Sequence, residues 1–193
     1  MSKNILTVVG ITILFVCVGL SGCQEEKTTE KLVTAPLNTL ALTVDDLPYG
    51  YYKFNEDFND TIYGATFFYE SQSLFDDNKG YPMIAFSIVK LDSINDTIIF
   101  YQNATSSNFT NGLNNTTPQD VELIGDESKY ELYQGEIEYY SNENMSISYL
   151  RFRINNFYIM FYIFGPSEPE IEYISFTFDL AKIVESRIYT SLE

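Results

Sequence analysis

Few residues in this sequence are equipped for chemistry, and the sharpest of them is a cysteine. Cys23 closes the tetrapeptide Leu20-Ser21-Gly22-Cys23, which follows an apolar run from Ile5 to Leu20 with Lys3 just ahead of it. A short basic start and a brief apolar stretch are the proportions of a secretory signal. The run is shorter than the ~20 residues that span a bilayer. Its closing tetrapeptide looks like a lipobox, where small residues admit the peptidase and the cysteine thiol carries a diacylglyceryl group in thioether linkage. Residues 1–22 are therefore expected to be removed, leaving acylated Cys23 as the anchor. Two acyl chains, at ~0.8 kcal/mol per buried methylene, hold a protein at a membrane where one chain does not.

The other cysteine, Cys17, lies inside the apolar run, so the domain behind Cys23 has neither a disulfide nor a free thiol to offer. Histidine is absent from the sequence. That removes the usual general base, the usual zinc ligand and both the Ser-His and Cys-His nucleophile pairs. Asp57-Phe58-Asn59-Asp60 and Asp76-Asp77-Asn78-Lys79-Gly80 suggest calcium, but neither keeps the EF-hand spacing with Gly at the sixth position and a closing Glu. Both read as turns. No metal, cofactor or catalytic residue is expected. Carboxylates are plentiful, 27 in all, yet no spacing pairs two of them for glycoside cleavage.

Two further groups remain. Asn-x-Ser/Thr triplets occur at Asn59, Asn95, Asn103, Asn108, Asn114, Asn115 and Asn144, and are glycan acceptors in an exported protein of a glycosylating host. Asn103 and Asn108 are favoured, because the stretch 103–119 is dominated by Asn, Thr and Ser and reads as a long exposed loop. Tyr49, Tyr51 and Tyr52, with Tyr139 and Tyr140, could stack on a sugar or a peptide. Neighbouring strand residues face opposite sides, so about half of these rings are expected in the core.

Charge narrows the partners. With 11 basic against 27 acidic residues the formal charge is −16, so phosphate-backbone binding, which needs a basic face, is not expected. The same surplus repels anionic lipid, leaving attachment to the acyl chains rather than the protein surface.

The elements that must position these groups follow from periodicity. Residues 23–36, polar and threonine-rich, read as a flexible tether, and 37–193 as one domain. Thr43 with Asp46, stopped by Pro48, predicts a single helical turn. Strands are expected over Tyr51–Phe58, Ile62–Tyr69, Met83–Leu91, Val121–Ile124 and Tyr130–Tyr140, the second and third pairing antiparallel. Ser93 and Asp96 open a helix of about three turns along Ile94, Ile98 and Tyr101, whose apolar face is to cover one side of the sheet. A hairpin within Ile147–Phe164 turns at Asn155-Asn156, both expected at positive φ, and its alternation gives Arg151 and Arg153 a charged face opposite Leu150, Phe152 and Ile154. An amphipathic helix carrying Leu180, Ala181, Val184 and Ile188 ends the chain, with Lys182 and Arg187 on its polar side. Tyr (16) and Phe (15) supply the bulk and no Trp is present, which suits strands. The expected class is α+β, an antiparallel sheet with helices packed on its faces.

Three stretches, Leu42-Thr43-Val44-Asp45-Asp46-Leu47-Pro48-Tyr49-Gly50-Tyr51, Gly125-Asp126-Glu127-Ser128 and Arg153-Ile154-Asn155-Asn156-Phe157, followed by Ala181, Val184 and Arg187, together resemble a family. Small lipoproteins and sensor-kinase exodomains with a PsbP-like or LpqN-like fold are similar in this order, over roughly residues 40–192. This chain departs from them in having Asn155 where Gly is common. The resemblance implies an α/β/α sandwich at the cell surface and transfers no catalytic residue. The sequence thus leads to a lipid-anchored, non-enzymatic binding or accessory domain on the outer face of the membrane, recognising an unidentified protein or envelope glycan. A carboxylate-based glycan hydrolase of the envelope and a scaffold subunit of a membrane complex are the rivals.

Overall fold

Alternation of aromatic and aliphatic residues with polar ones builds seven strands in the computed structural model, which describes residues 31–69, 82–104, 113–136, 144–167 and 172–192. Contacts divide the chain into units 1–31 and 32–193. The second unit contains β1 (Tyr51–Phe58), β2 (Ile62–Tyr69), β3 (Met83–Lys90), β4 (Asn114–Asn115), β5 (Glu127–Glu136), β6 (Asn144–Ile154) and β7 (Phe157–Pro166). They form one antiparallel sheet in the order β1-β2-β3-β7-β6-β5-β4. The helices are α1 (Leu37–Leu40), a 3-10 turn (Val44–Asp46), α2 (Ile94–Asn103) and α3 (Tyr173–Thr190).

Successive strand residues point to opposite faces, and register assigns each face. On one face Ile84, Phe86 and Ile88 of β3 lie beside Ile163, Phe161 and Ile159 of β7, which lie beside Ser148, Leu150 and Phe152 of β6. Against this face α3 packs Leu180, Ala181, Val184 and Ile188, all at most 2% exposed. The opposite face receives α2 over β7 and β6, where Phe100 and Tyr101 pack on Tyr158 with ring centroids 5.0 and 6.4 Å apart. The architecture is an α+β sandwich, as the pattern of elements implied.

Local chemistry sets the helix ends. Thr43 N and Oγ1 donate to Asp46 Oδ2 at 2.7 and 2.8 Å, and Ser93 Oγ accepts from Asp96 N at 3.0 Å, satisfying first-turn groups that a helix leaves open.

Several expectations differ from the structure. Residues 33–36 belong to the folded unit rather than the tether. Val33 is 1% exposed in the core, and its N donates to Asn156 Oδ1 at 3.1 Å. The stretch 121–124 is not a strand but a coil whose Ile124 is buried, its N donating to Ser128 Oγ. Only Asn155 of the hairpin pair has positive φ, 54°. Asn156 instead turns its carboxamide inward, donating to Leu91 O at 3.1 Å and accepting from Val33. Arg151 is 8% exposed, beneath α2 rather than on an open charged face. Within 103–119, Asn103 ends α2 and Asn114–Asn115 form β4, so that stretch is not one continuous loop.

Candidate functional site

The three motif stretches act as clamps in this fold. Arg187 on α3 donates from Nη2 to Asp46 Oδ1 at 2.6 Å and from Nη1 to Asp46 Oδ2 at 2.9 Å and Ala41 O at 2.7 Å, tying the 3-10 turn to the last helix. Burial alone would raise the Asp46 carboxyl, but hydrogen bonds from Arg187 and Thr43 outweigh it and hold that carboxyl below its ordinary value. Gly125, at φ +66°, donates from N to Glu185 Oε1 at 2.7 Å. Asp126 accepts from Asn155 N at 2.9 Å, and Glu127 accepts from Arg153 Nε at 3.1 Å. Asp46, Gly125, Asp126, Glu127, Arg153, Asn155 and Arg187 are thus engaged with structural partners, which leaves them little freedom for a ligand.

The titrating groups speak to chemistry as well. Burial, first of all, raises Tyr63, Tyr101, Tyr130, Tyr158, Tyr173 and Tyr189, Tyr130 to about 12. A general base works best with a pKa near the operating pH, so these phenols stay protonated at neutral pH. Glu56 shifts down, through its hydrogen bond from Lys53 and then that from Tyr63. A catalytic acid requires a carboxyl moved upward; Asp46 and Glu56 move the other way. Among the described residues no group of three or more His, Cys, Asp or Glu is disposed to hold a metal ion.

Among the described residues, an aromatic surface open to a ligand lies at the β1 side of the sheet. Helix α2 covers β6 and β7 on its face, and among the described residues no helix lies over β1, β2 and β3 on that same face. Tyr52, opposite Phe68, is 39% exposed, and Phe54 is 65% exposed. Phe68 sits between them, its centroid 6.4 Å from Tyr52 and 4.9 Å from Phe54 in an edge-to-face contact. A bulge between Lys53 and Asn55 shifts the phase of β1, so Asn55 and Asp57 follow the aromatics on this face, opposite Thr66 and Gly64. Beyond them, Ala85 and Ser87 of β3 are small and half-buried. The result is a low floor of small side chains ending in an aromatic wall. Tyr49, 97% exposed, stands just ahead of β1.

Of the tyrosines singled out from sequence, Tyr52 belongs to this surface and Tyr49 is exposed ahead of β1, while Tyr51 is 4% exposed and donates from its hydroxyl to Pro82 O at 2.8 Å. Tyr139 and Tyr140 lie outside the described residues, as do Cys23, Asn108 and Asp76–Gly80. Asp57 and Asp60 flank an exposed turn whose Asn59 carboxamide is engaged within the turn itself. Phe54 and Phe68 were missed. Their aromatic type marks them as strand residues, and only the bulge and the position of α2 show that they stay open.

A second concavity, of about 360 Å³, lies between residues 118–122 and α3. Val121, Ile174 and Phe178 form its apolar part, Asp120, Glu122, Glu172 and Asp179 its acidic rim. Lys182 bridges to Glu122 at 2.7 Å. The remaining sequon residues Asn59, Asn95, Asn103, Asn114, Asn115 and Asn144 are distributed over a turn, the two ends of α2, the edge strand β4 and the start of β6. No family model, no curated protein and no solved structure matches this chain.

Proposed function

We propose that this protein is a lipid-anchored, non-enzymatic binding domain displayed outside the cell membrane, and that the open face of β1–β2–β3 is its contact surface. The observation that supports this most is the aromatic wall of exposed Tyr52 and Phe54 around half-buried Phe68, beside a floor of small residues. Contiguous exposed apolar surface on a soluble domain marks interaction sites, and aromatic residues dominate contact energies. An acyl anchor at Cys23 and a strongly acidic surface suit a domain held close to a membrane yet kept off the lipid itself. The ligand is a protein or an envelope glycan.

Site-directed photocrosslinking in intact cells tests the contact surface. A photoreactive residue in place of Phe54 is expected to give one dominant adduct, while the same residue in place of Tyr189, 43% exposed on α3, gives none. Equal capture from both positions would remove the assignment.

The rival hydrolase reading draws on the acidic groove beside α3, the place where the fold gathers carboxylates around an apolar patch. Incubating the mature protein with envelope polysaccharide separates the two. Turnover abolished by Glu172→Gln or Asp120→Asn would establish the rival, and the binding reading expects retention without cleavage.

A further inference from the structure

The described sequons differ in what their hydroxyl and carboxamide groups are doing. At Asn95 the hydroxyl partner Thr97 is fully buried in α2 and donates to Ser93 O at 2.9 Å. At Asn144 the partner Ser146 is fully buried and bonded to Ser167 and Gln134. For Asn114, Thr116 Oγ1 donates to Gln134 Oε1 at 3.0 Å, and for Asn115, Thr117 Oγ1 accepts from Leu132 N at 2.8 Å. Asn103 uses its own Nδ2, donating to Ile99 O at 2.9 Å.

Asn59 is different. It and Thr61 are both exposed in the β1–β2 turn, and Thr61 Oγ1 donates to Asn59 Oδ1 at 2.8 Å. The same oxygen accepts from Thr61 N at 2.9 Å and from Ile62 N at 3.0 Å. Three hydrogen bonds into a carboxamide oxygen draw electron density from the nitrogen and acidify its N–H bonds. That nitrogen must lose a proton when it becomes a nucleophile, and none of these bonds occupies it. Phe58 and Ile62, 61% and 45% exposed, flank the turn and offer apolar surface to the first sugar.

The geometry assigns Asn59 as the preferred N-glycosylation site among the described sequons of the folded domain. Its Nδ2 forms the bond to the anomeric carbon of a lipid-linked oligosaccharide, the bond from that carbon to the lipid phosphate oxygen breaks, and the amide proton leaves with the phosphate. The assignment deepens the reading of an exported protein and, among the described sequons, singles out a turn whose hydroxyl is already in place.

The test uses the purified, folded full chain, incubated with membranes containing an oligosaccharyltransferase and a lipid-linked oligosaccharide, and mapped by glycopeptide mass spectrometry. Asn59 is expected to carry sugar at about tenfold or more the occupancy of Asn95 and Asn144. Thr61→Val removes the Asn-x-Ser/Thr triplet and should abolish its occupancy, while Thr61→Ser retains it. A bare Asn59, or one no more occupied than Asn95, overturns the assignment. Because the assay begins with purified protein, its failure says nothing against the anchor at Cys23, and an unacylated Cys23 would leave the assay readable.

Discussion

Asp46 shows how much of this fold rests on single charged contacts. Its carboxylate is 12% exposed and receives both terminal nitrogens of Arg187, a bidentate geometry stronger than an ordinary surface ion pair. Because its folded pKa is lowered, the stabilisation is fully present above the unfolded carboxylate value of about 3.9 and is lost as pH falls through the lower folded value. Arg187→Gln is expected to cost about 2 kcal/mol at neutral pH in urea denaturation, and Asp46→Asn to flatten the loss of stability as pH falls below about 3.9. An acid profile unchanged by Asp46→Asn would show that this carboxylate does not govern it. Arg151 presents the opposite case. It is buried against Tyr101 at 5.6 Å and donates to Ala104 O, yet its Nε has no partner among the described residues. Sequence alternation placed Arg151 on a polar face, and only the path of α2 across that face buries it.

Among the elements, turns are set by local backbone needs and strand order by distant packing. Gly125 stands at φ +66° with Arg153 O only 2.5 Å from where a Cβ would lie. Gly125→Ala is therefore expected to cost about 2–3 kcal/mol, combining the left-handed penalty with backbone overlap. Gly64, in β2, has no atom closer than 3.8 Å to a built Cβ, so Gly64→Ala is expected to leave the urea midpoint unchanged or raise it slightly. A midpoint equally insensitive to both substitutions would contradict this account of the Gly125 turn. The bounds of β1 and β2 and the start of α2 were legible because period-two alternation and the capping pair Ser93–Asp96 are local signals. The placement of β7 between β3 and β6 was not, since pairing across some seventy residues of sequence is decided by the shared core. Nor was the bulge in β1 legible, because Tyr-Tyr-Lys-Phe-Asn-Glu-Asp-Phe fits either phase after Lys53.

For the whole molecule, the asymmetry of cover matters most. Helix α3 packs on β6 and β7 and α1 on β2 at one face of the sheet, whereas α2 packs on β6 and β7 of the other, so the aromatic wall on β1–β2 is a consequence of where one short helix lies. The sequence indicated tyrosines near residue 50 as contact residues, and Tyr49 and Tyr52 are on the surface, but the partner rings Phe54 and Phe68 required the tertiary arrangement. The proposed lipobox rests on a contiguous local motif, Leu20-Ser21-Gly22-Cys23, legible without any fold. Its proposed role is at the scale of the whole molecule, because an acyl anchor there would decide on which side of the membrane the aromatic face is displayed. Intact mass and N-terminal peptide analysis of the protein isolated from its own cells tests this most directly. The expected chain begins at Cys23, with a diacylglyceryl thioether on its sulfur and residues 1–22 gone. A chain that retains Met1 and an unmodified Cys23 thiol, recovered from the cell interior, would contradict the display of this domain outside the membrane.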